Sequence, residues 1–128
     1  MLLCFRIIPK KTIIIISLPN PFHFSTVMQD ITVQELKHRL DNEEQLFVID
    51  VREPYEYEEF NIGAENIPLG NLPATLNQLE DYKDVEIVVH CRSGKRSATA
   101  QQLMTQAGFS KVRNLLGGIE DWKRQFAV

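Results

Sequence analysis

Cysteine is scarce in this chain, with two among 128 residues, Cys4 and Cys91. Two cysteines so far apart exclude a disulfide framework, so each must be judged by its reactivity. Histidine is nearly as rare: His23, His38 and His90 have no ligand-like spacing with either cysteine, so neither a metal nor any other cofactor is expected. No apolar run approaches the roughly 20 residues needed to cross a bilayer. The longest, Thr12–Leu18, is short and bracketed by Pro9, Pro19 and Pro21, so no membrane partner is expected. A basic excess is also missing: 14 Lys and Arg stand against 17 Asp and Glu, for a net charge of −3. An acidic surface cannot neutralise phosphates, which excludes nucleic acid as a partner. Repeats and low-complexity stretches are absent.

What is present fits one domain. A hydrophobic fraction of 44% with 24% charged residues is that of an ordinary globular chain, long enough to bury a core. Composition changes abruptly near Met28. Residues 1–27 hold three of the basic side chains, Arg6, Lys10 and Lys11, and no acidic one, which leaves residues 28–128 with a net charge of −6. The first segment resembles a poor signal peptide without a small-residue cleavage site. We read residues 28–128 as the domain and residues 1–27 as an extension, with Met28 the expected start of translation.

Within 28–128 the periodicity alternates between strands and helices. Thr32 and Glu35 fit a capping box, and Val33, Leu36 and Leu40 predict a helix to about Asn42. Leu46–Ile49 reads as a buried strand ending at Asp50. Pro54 suits the first turn of a helix through Phe60, with Glu53, Glu56, Glu58 and Glu59 on a solvated face. Asn61–Ile67 reads as a loop and a short strand stopped by Pro68. Leu72, Leu76 and Leu79 predict an amphipathic helix, and Val85–His90 is the clearest strand. A helix from about Ser97 to Ala107, a strand Val112–Leu115, a turn at Gly117-Gly118 and a helix Ile119–Phe126 complete the order, with Trp122 assigned to the core. This alternation predicts an α/β fold, a parallel sheet covered on both faces.

The chemistry concentrates where Val85–His90 ends. In parallel sheets ligands bind beyond the carboxyl ends of the strands. There stands Cys91-Arg92-Ser93-Gly94-Lys95-Arg96-Ser97, a strand-to-helix loop with one glycine and three cations in an otherwise acidic domain. Gly94 permits a backbone turn that aims successive N–H groups inward as an anion nest. The helix that follows adds the positive end of its dipole. All of these favour a thiolate on Cys91. Lowering a thiol by about 2 units from about 8.5 amounts to roughly 2.7 kcal/mol. The competing reading makes Cys91 a small apolar core residue. The loop, its glycine and its cations argue instead for a nucleophile facing solvent. His90 precedes Cys91 along a strand, so the two side chains point to opposite faces and do not form a pair.

The stretch HCRSGKRSA, with DVREPYEYEEFNIGAENIPL before it and NLLGGIEDW after it, resembles a single-domain rhodanese over Ile31–Trp122. The resemblance implies a rhodanese-like fold, a five-stranded parallel sheet with helices on both faces. It also implies sulfurtransferase activity through a persulfide on Cys91, with thiosulfate the usual assay donor and cyanide the usual assay acceptor. Arg92, Ser93, Gly94, Lys95, Arg96 and Ser97 are the expected substrate-binding loop. Asp50 and Arg52 are expected to support it, with Asp50 either tethering a loop cation or merely capping a helix beside a surface arginine. Partners are a small-molecule sulfur donor and acceptor, or proteins in those roles; the expected compartment is cytoplasmic. Where the family usually has His-Ile-Pro-Gly-Ala, this chain has Asn61-Ile62-Gly63-Ala64. Phosphatase and arsenate-reductase relatives of the fold have five residues between cysteine and arginine, whereas four separate Cys91 from Arg96 here. The shorter loop favours sulfur over phosphate chemistry. A persulfide carrier, a phosphatase-like enzyme and a non-catalytic interaction module are the alternatives.

Overall fold

The computed structural model describes residues 28–126; the expectations for residues 1–27, Cys4 and His23 among them, lie outside these. Helix α1 (Val33–Asp41) begins at Thr32, whose Oγ1 accepts the Glu35 N–H at 3.1 Å. The other half of the expected capping box is absent. Glu35 turns its carboxylate to Arg113 at 2.9 and 3.1 Å, because a guanidinium is a stronger partner than one backbone amide.

Strand β1 (Phe47–Asp50), helix α2 (Pro54–Glu59) and the short strand β2 (Glu65–Asn66) follow. Helix α3 (Leu72–Thr75) runs directly into a 3₁₀ segment, Leu76–Tyr82, in place of one amphipathic α-helix. The 3₁₀ repeat brings residues three apart onto one face, so Leu76 and Leu79 still share the core. Strand β3 (Ile87–His90), helix α4 (Lys95–Gln106), strand β4 (Val112–Asn114) and helix α5 (Gly118–Phe126) complete the chain. Helix α4 starts two residues before the expected Ser97, directly after Gly94.

The sheet is parallel, in the order β2-β1-β3-β4. The expected fifth strand is a single bridge, Ile31 to Leu115. Ile31 exchanges backbone bonds with Asn114 and Leu116 at 3.0 and 2.9 Å, but Thr32 leaves at once to cap α1 and Asp30 spends its carboxylate on the Asn114 N–H. One residue of extended chain is all that remains to pair.

Strand alternation sorts the core into two layers. Phe47, Ile49, Ile87, Val89 and Cys91 pack with Leu72, Leu79, Ala100 and Met104; Leu46, Val48 and Val88 pack with Val33, Leu36 and Trp122. Helices therefore cover both faces. The chain leaves β1 for β2 on one side and returns to β3 on the other, which makes the carboxyl ends of β1 and β3 the switch point where open α/β sheets bind ligands. Cys91 follows β3 at that point.

Candidate active site

The loop between β3 and α4 closes around one sulfur atom. Gly94 has φ +107° and caps α4, a left-handed conformation that side chains resist. This turn points the Gly94 N–H at Cys91 Sγ, 3.1 Å away, and brings the Ser97 N–H to 3.4 Å. The Ser97 hydroxyl stands 3.3 Å from the same sulfur. Burial pushes the Cys91 thiol upward, but the Ser97 hydroxyl and the N–H groups of Ser97, Gly94 and Ser93 outweigh it and hold the pKa below the ordinary thiol value. Cys91 is 1% exposed, which corrects the expectation of a sulfur open to solvent. The tight loop lies over it, and its inner surface is a ring of donors.

Asn114, on β4, stands behind this ring and was not among the residues singled out in the sequence. Its Oδ1 accepts the Ser97 hydroxyl at 2.6 Å and its Nδ2 donates to Gly94 O at 3.2 Å. Asparagine in a strand is unusual enough to be a signal, yet its partners lie some 20 residues away and are set by strand pairing.

The three cations have different fates. Arg96 makes a bidentate pair with Glu56 of α2 at 2.7 and 2.9 Å. That pair holds the Glu56 carboxyl down at about 2 against burial, with help from the Glu53 N–H. Glu56 is therefore no mere solvated face residue but the clasp between α2 and the loop. Arg92 points outward and pairs with Glu120 at 2.9 Å. Lys95 is exposed with no carboxylate partner among the described residues, and Ser93 is exposed beside it.

Asp50 and Arg52 differ from both of their expected roles. Asp50 is fully buried and holds Arg52, at 2.8 to 3.1 Å, instead of a loop cation; Arg52 is buried too and donates to Phe60 O at 2.7 Å. The pair fixes the turn from β1 into α2, because a buried guanidinium needs an anionic partner and its remaining donors filled. His90 is also buried. Its Nδ1 lies 3.5 Å from Cys91 O, and its Nε2 has no hydrogen-bond partner and sits 3.8 Å from Asp50 Oδ2. It does not touch the sulfur.

Helix α5 seats its first turn on the loop. The Ile119 and Glu120 N–H groups donate to Cys91 O and Arg92 O at 2.9 and 3.0 Å. A Cβ on Gly118 would lie 2.5 Å from Arg92 O and 2.6 Å from Cys91 O. The Gly117-Gly118 pair thus serves a close approach as well as a turn. A cleft of about 400 Å³ opens beside this contact, with Arg52, Tyr55, Glu59, Arg92, Glu120 and Lys123 among its walls. In the family-like departure nearby, Asn61 Oδ1 accepts the Gly63 N–H at 2.9 Å and closes the loop in place of the missing proline. Among the described residues, no group of three His, Cys, Asp or Glu side chains is placed to hold a metal, and no helix is long and apolar enough to cross a membrane.

The sequence and the fold have parallels among known proteins. A family model described as the rhodanese-like domain matches residues 32–125. A protein from Allochromatium vinosum named "Sulfurtransferase" is 33% identical over 99 residues, covering 77% of this chain and 91% of that one. The "Putative sulfur carrier protein YrkF" of Bacillus subtilis is 38% identical over 94 residues, 73% of this chain; the match spans 50% of YrkF, half the length of that relative. Among solved structures, the human single-domain sulfurtransferase TSTD1 superposes with a TM-score of 0.66 at 27% identity, covering 75% of this chain and 96% of that one. A cysteine cradled at the switch point of a parallel sheet, inside a matched domain that spans most of the chain, places this protein in the rhodanese-like family of sulfurtransferases.

Proposed function

We propose that this chain moves a sulfane sulfur from a donor such as thiosulfate to a thiophilic acceptor through a persulfide on Cys91. The observation that carries the reading is the convergence of the Gly94 N–H, the Ser97 N–H and the Ser97 hydroxyl on one sulfur. Such a cradle stabilises an anion without a bound metal. The Cys91 thiolate attacks the outer sulfur of thiosulfate. An Sγ–S bond forms, the S–S bond of the donor breaks, and sulfite leaves with the electron pair. The charge then rests on the outer sulfur of the persulfide, until the acceptor attacks that atom and Cys91 leaves again as thiolate. Lys95 is the cation we assign to the donor's sulfonate end, because Arg92 and Arg96 are already paired.

The test is an intact mass after incubation with thiosulfate. The expected result is a gain of one sulfur atom, reversed by cyanide and absent in Cys91→Ser. An unmodified wild-type protein that hydrolyses an aryl phosphate would overturn the reading in favour of a phosphatase. A carrier that serves partner proteins is the second reading, favoured by the absence of another cysteine among the described residues to discharge the persulfide internally. It predicts the same mass gain with slow cyanide turnover.

A further inference from the structure

The Ser97 hydroxyl has one hydrogen and two acceptors in reach, Asn114 Oδ1 at 2.6 Å and Cys91 Sγ at 3.3 Å. Asn114 cannot turn aside. Its Nδ2 is tied to Gly94 O, its backbone N–H donates to Asp30 Oδ1 at 3.1 Å, and it is 6% exposed. We propose that Asn114 is a positioning residue that switches the Ser97 hydroxyl according to the charge on Cys91 Sγ.

Three states of the sulfur follow from the single hydrogen. In the thiol, S–H donates to Ser97 Oγ and Ser97 donates to Asn114 Oδ1, so every polar atom is satisfied. In the thiolate, the hydroxyl turns to the anion and leaves a buried carbonyl oxygen without its donor, which is costly. In the persulfide, the negative charge has moved to the outer sulfur, Sγ is neutral, and the hydroxyl returns to Oδ1. This third state rests on the proposed sulfur transfer; the first two do not. Asn114 therefore disfavours the thiolate alone. It keeps the nucleophile from being over-stabilised, since nucleophilicity falls as thiol pKa falls, and it favours loading with sulfur.

The charged and titratable groups around the cluster are Arg96 of α4, already paired with Glu56 of α2; His90 of β3, beneath the loop; and Asp30, which holds the Asn114 backbone. None of them hydrogen-bonds the Ser97 hydroxyl.

The switch is tested by titrating the ultraviolet absorbance of the Cys91 thiolate in a Cys4→Ser background. Asn114→Ala should lower the midpoint by about one unit, giving about tenfold more thiolate below it. Ser97→Ala should raise the midpoint, and the double variant should behave as Ser97→Ala, because without the hydroxyl Asn114 Oδ1 has no hydrogen to compete for. A midpoint unchanged or raised in Asn114→Ala, or lowered equally in both backgrounds, would overturn the proposal. If circular dichroism shows Asn114→Ala unfolded, the S–H stretching band of the otherwise wild-type protein below the midpoint decides. It should lie at lower frequency than in Ser97→Ala, and an equal frequency overturns the switch. Failure to form a persulfide with thiosulfate would sink the sulfur-transfer reading and leave these titrations standing.

Discussion

At the residue scale, Cys91 is activated by hydrogen bonds more than by neighbouring charge. Three donors touch its sulfur, while two of the three nearby cations are spent on carboxylates. The cations were conspicuous in the sequence because charge is a property of residue type. Their partners were not, since Glu56 lies 40 positions from Arg96. Asp50 and Arg52, read as a candidate tether, became a closed pair two residues apart; here burial of both charges decided the outcome, since a buried guanidinium needs an anionic partner. Replacing Glu56 with Gln tests the clasp. The variant should lose about 1 kcal/mol in urea unfolding, the modest value of a part-exposed pair. It should also lower the Cys91 thiolate midpoint, because Arg96 then faces the sulfur without a compensating carboxylate. A wild-type midpoint in a folded Glu56→Gln would show that Arg96 does not act on the sulfur.

At the element scale, the site is an agreement between β3, α4, β4 and α5. The strand delivers Cys91, Gly94 starts α4, β4 supplies Asn114, and α5 binds the loop carbonyls through its first N–H groups. Gly118 is where two of these meet most closely. A Cβ there would press on the Cys91 and Arg92 carbonyls, and φ +59° already disfavours a side chain. Gly118→Ala should cost at least about 2 kcal/mol in urea unfolding and raise the Cys91 midpoint by displacing the loop. Gly70 is the control, with nothing within 4 Å of an added Cβ, so Gly70→Ala should stay within about 0.5 kcal/mol of wild type. Helix and strand identities were legible because apolar spacing is local. The 3₁₀ segment after α3 and the fifth strand reduced to Ile31 were not, since both depend on what packs or pairs against them.

At the scale of the whole molecule, buried ionisable groups make stability depend on pH. Burial holds His90 below 6.5, so the folded protein keeps it neutral while the unfolded chain takes up a proton. Its contribution is fully present above about 6.5 and is lost as pH falls, at up to about 1.4 kcal/mol per pH unit. Below 4.5 the paired Glu56 and Glu86 add to the loss, for Glu56 down to about 2. Glu65 opposes them, since burial raises its pKa and its contribution is lost as pH rises through that raised value. Urea midpoints should therefore fall between about pH 7 and pH 5, and His90→Gln should flatten that segment while leaving the steeper loss below about 4.5. An unchanged slope in His90→Gln would assign the pH dependence to other groups.

The amino-acid order by itself determined the alternation of strands and helices, the cysteine at the end of a buried strand and the glycine that lets the loop turn. Each follows from local periodicity or backbone sterics, which need no distant partner. Tertiary structure alone decided that the sulfur is covered, that Arg96 is clasped by Glu56, and that Asn114 competes for the Ser97 hydrogen. Those outcomes depend on which atoms strand pairing and helix packing bring within about 3 Å of each other, the short range at which hydrogen bonds act.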